Sequence, residues 1–394
     1  MINYWPLKSI TRKSDRNRTI KGLQAIRQQL EDTMPKKSVY QTLILGTWNI
    51  RNFDDNRFGH GCRLEESLFY IAEVISAFDV IAVQEICRDI KPLRRVLELL
   101  GGSYEMILTD VTEGPSGNKE RACFIYNKNK VEFRNIAGEI VLPFKKQISD
   151  VTKQRQFART PYTCSFKAGW FEFMFSSVHI YYGKQSKKSD EYKRRVKEIS
   201  AIVNYLKNMA EKEKNNHILV GDFNIDAHGD KAFNALQSKG FEIFQNKIGS
   251  NAKQNKFYDQ ISWLPNDKSV RQAQSERNQG VLNVLNSVFR EQDYSSYRKF
   301  VKKSLMKSLD KAKLKLKEAK KKEVQSKINK AKIAIEKLKA TLADDKAMEK
   351  YYINDWRTFQ ISDHLPLWVE LEVNYSSEYL EWLKQGNFDT ASMQ

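Results

Sequence analysis

Asp363 and His364, a carboxylate beside an imidazole, open the segment ISDHLPLWVEL after a long lysine-rich run. They follow a habit of this chain, in which polar side chains stand where apolar runs stop. Asn49 follows LILGTW, Glu85 follows DVIAVQ and His179 follows FMFSSV. Asp222 and Asn224 follow HILVG, Asp259 follows KFY, and Arg159 lies in FARTP. Strand ends in a packed sheet let side chains converge in a cleft without being buried unpaired. Taken singly, each has an ordinary explanation: GDFN is made of turn formers, and an isolated histidine can be a satisfied core residue. Taken together, several carboxylates, two histidines, two asparagines and an arginine are a chemical set. Hard oxygen donors without a Cys/His cluster suit Mg²⁺ or Mn²⁺, and such a cation suits a substrate with phosphate oxygens.

The elements that would position this set are short apolar runs: TLILGTWNI, DVIAVQEI, ERACFIYN, FEFMFSSVHIYY, HILVGDFNI, FYDQISWL and HLPLWVELEV. Each has the length and bounding turns of a buried strand. Helical patterns lie between several of them, over Ser67 to Ala77, Leu93 to Leu100 and Tyr192 to Met209, so the expected class is α/β with helices covering the sheets. A helix is also expected near Arg16 to Leu30, within an N-terminal helical extension, residues 1–40, packed on a main domain of 41–280 and 351–375. Residues 376–394 read as a C-terminal tail or helix.

Residues 281–350 depart from this pattern. Leu305, Leu309, Ala312, Leu316 and Ala319, then Val324, Ile328, Ala331, Ile335, Leu338 and Leu342, form a heptad seam with one interruption. Tyr297 to Lys350 holds 19 Lys/Arg against 7 Asp/Glu, so +12 of the formal charge of +19 is local to it. Because the segment leaves one strand and must return to another, a helical hairpin turning near 319–324 fits better than one rod. Dimerisation through the coiled arm and phosphate gripping by its lysines are the alternatives it raises.

The ordered series TWNIRNF, VQE, NKERACFIYN, RTP, SSVHIYYG, GDFN, YDQI and SDHLP resembles the endonuclease/exonuclease/phosphatase superfamily, of which deoxyribonuclease I is the best-known member. The resemblance spans about Thr42 to Val373 outside the insertion, and GDFN and SDH are its most specific parts. It implies a four-layer α/β sandwich, two mixed sheets flanked by helices, and Mg²⁺-dependent phosphoester cleavage. By the same resemblance Glu85 is the principal metal ligand, with Asn49 and Asp363. His364 acts as base or cationic stabiliser, oriented by Asp259, with Asp222 the rival for activating water. Asn224 holds a phosphoryl oxygen. His179 is a second acid/base or phosphate contact partnered by Glu120, and Arg159 pins a phosphate. Arg88 is a weaker phosphate contact, because QEICRD carries one residue more than the deoxyribonuclease spacing.

His179 disfavours the abasic-site endonucleases, which resemble this chain elsewhere but carry asparagine there. Deoxyribonucleases, phosphoinositide phosphatases and sphingomyelinases stay open. The segments Phe144–Arg159, five basic residues to one acid, and Gly183–Arg195, six to two, favour a backbone-tracking polyanion. The expected activity is therefore a nuclease on DNA or RNA with little sequence specificity, and the alternative is a phosphatase or phospholipid phosphodiesterase. No apolar run reaches membrane-spanning length and the N-terminus is too charged for a secretory signal, so a cytoplasmic protein is expected. Cys62, Cys87, Cys123 and Cys164 lack metal or redox spacing and read as buried free thiols.

Overall fold

The computed structural model describes residues 2–55, 62–112, 118–148, 155–184, 186–213, 215–264 and 270–385. Residues 149–154 of the first basic segment and 386–394 of the tail lie outside the described residues. Twelve strands form two sheets. One contains β1 (Thr42–Phe53), β2 (Val80–Ile86), β3 (Tyr104–Leu108), β4 (Arg121–Asn127), β11 (Gln279–Val281) and β12 (Leu367–Glu372), in the order β11-β12-β1-β2-β4-β3. The other contains β5 (Glu132–Glu139), β6 (Tyr162–Ala168), β7 (Phe171–His179), β8 (Asn216–Asp222), β9 (Glu242–Ile243) and β10 (Asp259–Leu264), in the order β5-β6-β7-β8-β10-β9. Both are mixed: β1 with β2 and β7 with β8 are parallel, and the remaining ladders are antiparallel.

Alternation along these strands builds three cores. Leu43, Leu45, Val80, Ala82, Phe124, Phe166, Phe173, Phe175, Ile218 and Val220 fill the space between the sheets. Withdrawing each of the phenylalanine rings from water contributes roughly 1.5–3 kcal/mol. The opposite parity faces helices. Ile44, Trp48, Ile81 and Val83 pack under α1 (Lys13–Thr33), α2 (Glu65–Ser76) and α3 (Lys91–Leu100), while Leu219, Val178 and Ile243 pack under α4 (Asp190–Glu213) and α5 (Lys231–Gln237). The result is helix, sheet, sheet, helix.

The lysine-rich insertion forms an antiparallel hairpin of α6 (Tyr294–Lys321) and α7 (Gln325–Ala343), turning at 322–324. Its seam is sparse: Leu305, Ala312, Ala319, Ala331 and Ile335 are buried, whereas Leu314 and Ile333 face solvent. The base is not an appendage, because Tyr297, Val301 and Leu305 belong to the outer core with Tyr352 and Trp356. The chain returns through α8 (Asp345–Tyr351), a short π-helical turn and α9 (Arg357–Gln360) into β12; α10 (Ser376–Lys384) follows. Cys87, Cys123 and Cys164 are buried, but Cys62 is exposed, which corrects the reading of four buried thiols; it stands in a polar stretch with no apolar run to bury it.

Candidate active site

The site lies where the inter-sheet core runs out of apolar residues. On β8, Ile218 and Val220 point between the sheets, so the period of two puts Asp222, the strand's last residue, on the same face. The same parity carries Phe171, Phe173 and Phe175 of β7 on to His179, Leu43 and Leu45 of β1 on to Asn49, and Phe124 of β4 back to Glu120. Antiparallel strands contribute their first residues to this edge and parallel ones their last; Asp222 pairs in register with both His179 and Asp259. Gln84 of β2 donates to Ser177 of β7 at 2.9 Å, a bridge between the sheets beneath the cleft.

Glu85 breaks the parity, since Gln84 occupies the inward phase. Glu85 has φ +62 at an irregularity of both flanking ladders, and this left-handed kink turns its carboxylate into the cleft. There Oε1 accepts from Asn49 Nδ2 at 3.1 Å and Oε2 from the Asn52 amide at 2.8 Å. Gly221 is needed for a related reason: its φ is +130, and a Cβ would lie 2.1 Å from the Val178 carbonyl oxygen.

Two imidazoles approach the same carboxylate oxygen. Asp222 Oδ2 lies 3.5 Å from His179 Nε2 and 3.8 Å from His364 Nε2, and it accepts from Asn49 Nδ2 at 3.0 Å. Each imidazole is backed by a buried carboxylate on Nδ1, Glu120 at 3.0 Å behind His179 and Asp259 at 2.8 Å behind His364. The Asp259 contact is an aligned hydrogen bond, whereas His179 Nδ1 meets Glu120 off the hydrogen-bonding line. Burial opposes charge on His364, but Asp259, Asp222 and Asp363 outweigh it and hold the imidazole well above its usual range. The same burial pushes Asp259 upward against the pull of His364. Burial also works against Glu120, yet His179 and Arg159 hold it down at about 2.

Several residues have assignments sharper than their sequence reading. Arg159 Nε donates to Glu120 at 2.7 Å, so this arginine braces the His179 partner. Asn224 has φ +54; its Nδ2 donates to the Ile180 carbonyl at 2.7 Å and its backbone amide to Asp222 Oδ1 at 2.8 Å. Asp363, whose side chain is 43% exposed, stands at the rim 3.6 Å from Arg51 Nε. Arg88 is exposed beyond the end of β2.

Positive charge around the cleft is thinner than the sequence implies. In Gly183–Arg195, Arg194 is buried against Glu198, Arg195 against Asp226, and Lys184 and Lys193 pair with Glu191 and Asp190. Lys187 and Lys188 remain exposed. The correction has a plain cause: both arginines fall on the inward face of α4, whose burial a charge count does not register.

Three supporting residues have no motif to announce them. Arg63, fully buried, donates to the carbonyl oxygens of Arg51, Asn52 and Ile361 and pairs with Asp54, holding the β1 loop that supplies the Asn52 amide. The Ser362 hydroxyl donates to the Asn49 carbonyl at 2.7 Å and accepts from the amides of Arg51 and His364. Arg195 donates to the carbonyls of Asn224 and Tyr182.

Glu85, Glu120 and His179 form one group able to hold a metal, and Asp222, Asp259 and His364 another. Asn49 Oδ1 is buried and receives no hydrogen bond, while its Nδ2 serves both Glu85 and Asp222. An orphaned amide oxygen beside a carboxylate fits a hard cation, which takes oxygen donors.

No protein-family model and no curated protein matches this sequence. Among solved structures, an endonuclease/exonuclease/phosphatase from Bacteroides vulgatus is similar over 84% of this chain and 99% of its own, at 12% identity and a TM-score of 0.47. A mannosyl-6-phosphatase from Bacteroides thetaiotaomicron is similar over 61% and 90%, at 20% identity and 0.46, and the human Nocturnin catalytic domain over 61% and 85%, at 12% and 0.43. At such scores these likenesses carry no argument about chemistry. The two helix-flanked mixed sheets are the four-layer α/β sandwich that the resemblance of the motif series to the endonuclease/exonuclease/phosphatase superfamily implies. No helix of the described residues is long and apolar enough to cross a membrane.

Proposed function

We propose that the chain is a metal-dependent phosphodiesterase that hydrolyses nucleic acid, DNA in preference to RNA, with little sequence specificity. The observation that carries the reading is the convergence of two carboxylate-backed imidazoles on Asp222 Oδ2. Asp222 is 2% exposed and fixed at both oxygens, by Asn49 and by the Asn224 amide. It is the carboxylate placed to take a proton from a water attacking phosphorus. His364, charged and oriented by Asp259, donates from Nε2 to a non-bridging oxygen as negative charge grows there. His179, braced by Glu120, is placed to protonate the departing ester oxygen, and the free amide hydrogen of Asn224 adds a second donor to the phosphoryl group. Glu85, Asn49 and Asp363 would hold Mg²⁺ or Mn²⁺, which would neutralise the phosphate and stabilise the leaving oxygen.

Nucleic acid is favoured over a small phosphate because the lysines of α6 and α7, and the exposed Lys187 and Lys188, offer cations beyond a single phosphate site. One observation favours a phospholipid instead: Val141 and Phe144 are 59% and 78% exposed beside Lys145 and Lys146, an apolar and basic pairing suited to a membrane surface. The deciding assay puts plasmid, single-stranded DNA, RNA and phosphoinositide side by side with Mg²⁺ or Mn²⁺. Nucleic-acid cleavage should fall about 10²–10⁴-fold or more in His364→Ala and Asp222→Ala. Activity on the lipid alone would overturn the reading, and near-wild-type turnover in either variant would remove the mechanism.

A further inference from the structure

Tyr182 stands three residues beyond His179 and is 38% exposed. Behind its ring lies the Arg195 guanidinium, 5.1 Å from the centroid on a side chain with no exposure, and Arg195 also donates to the Tyr182 carbonyl. Tyr258 meets it edge to face, with centroids 6.2 Å apart and planes at 86°. Tyr258 adjoins Asp259 in sequence and lies 5.5 Å from the His364 ring at 34°. The order outward from the reacting centre is therefore His364, Tyr258, Tyr182. Arg195 extends the clamp by donating to the Asn224 carbonyl at 2.7 Å, so the ring and the phosphoryl-holding loop share one buried cation.

This ring is braced by a buried cation, set edge to face with Tyr258 and partly open to water. A pre-fixed aromatic surface loses little rotamer entropy when a planar group stacks on it, and stacking tolerates any base because every base has a π-face. Inositol has no such face.

We propose that Tyr182 is the stacking platform for a nucleobase adjoining the scissile phosphate. This rests on the nucleic-acid reading above and gives that reading a base subsite without sequence readout.

The test uses the full chain and a single-stranded oligonucleotide carrying 2-aminopurine, held in EDTA so that binding is observed without cleavage. Wild-type protein should quench the fluorescence. Tyr182→Ala should abolish the quench and weaken binding about tenfold, and Tyr182→Phe and Tyr182→Trp should retain both. With Mg²⁺ restored, Tyr182→Ala should also lose, by a similar factor, the preference for that strand over one of equal length lacking bases. A circular-dichroism melt near wild type confirms that the alanine variant is folded. Unchanged quenching in Tyr182→Ala, or equal losses on the two strands, would refute the platform while leaving the nuclease reading in place. If wild-type protein neither binds nor cleaves either strand, both fall.

Discussion

His217 lies in the same strand as Asp222 and contrasts with the two histidines of the candidate site. It is 2% exposed, neither ring nitrogen has a partner, and burial lowers it to about 4. In the unfolded chain it titrates near its ordinary value of about 6.5, so below that pH the unfolded state takes up a proton that the folded state refuses. The folded state should lose on the order of 3 kcal/mol as pH falls from about 6.5 to 4, and nothing through this group above 6.5. Urea titrations across that window should show the loss, and His217→Leu should flatten it. Arg194 is the second residue-scale case. Its partner Glu198 is fully buried and also accepts from the Ala158 and Tyr181 amides, so Arg194→Met strands a buried carboxylate. Denaturation should show a cost of roughly 3–5 kcal/mol. The residues that the structure brings together at the candidate site were legible in the sequence because they end apolar runs, as Asn49, His179, Asp222 and Asp259 do. Arg63, Arg195 and Ser362 were not, because they act through backbone carbonyls and amides, which carry no residue signature. Nor was the kink that makes Glu85 rather than Gln84 face the cleft, since a single left-handed φ has no periodicity.

Among the elements, the long helices and the fully buried strands were visible and the edges were not. β5 is mostly exposed and β6 mixes Thr, Ser and Lys with its apolar residues, so neither makes an apolar run. β11 has three residues and is recognisable only by its ladder with β12. The hairpin was legible in its heptads, and its turn at 322–324 needs no Gly or Pro because Glu323 takes φ +49. What the heptads did not show is that the base of α6 is part of the outer core. Removing all of 297–350 would therefore open that core, and the informative deletion is the distal part, about residues 308–336, closed by a short linker. If the arm tracks phosphates, the truncated protein should keep its melting temperature within a few degrees and bind DNA with a shallower dependence of log Kd on log salt. An unchanged slope with a dimer becoming a monomer would make the arm an assembly element.

For the molecule as a whole, catalytic geometry and sheet packing are one property. The phase that buries Val220, Phe175 and Leu45 also aims Asp222, His179 and Asn49, so a one-residue slip in any central strand would empty the site as well as the core. β12 adds a matter of timing. It lies between β11 and β1, and the Thr42 hydroxyl meets the Glu370 carboxylate at 2.7 Å across 328 positions of sequence. During synthesis β1 emerges early and must wait, one edge unpaired, while the helical arm is made. His364 comes just ahead of the strand that ends the wait. Until that strand docks, the edge of the sheets lacks His364, so the cleft can be completed only after nearly the whole chain has been made.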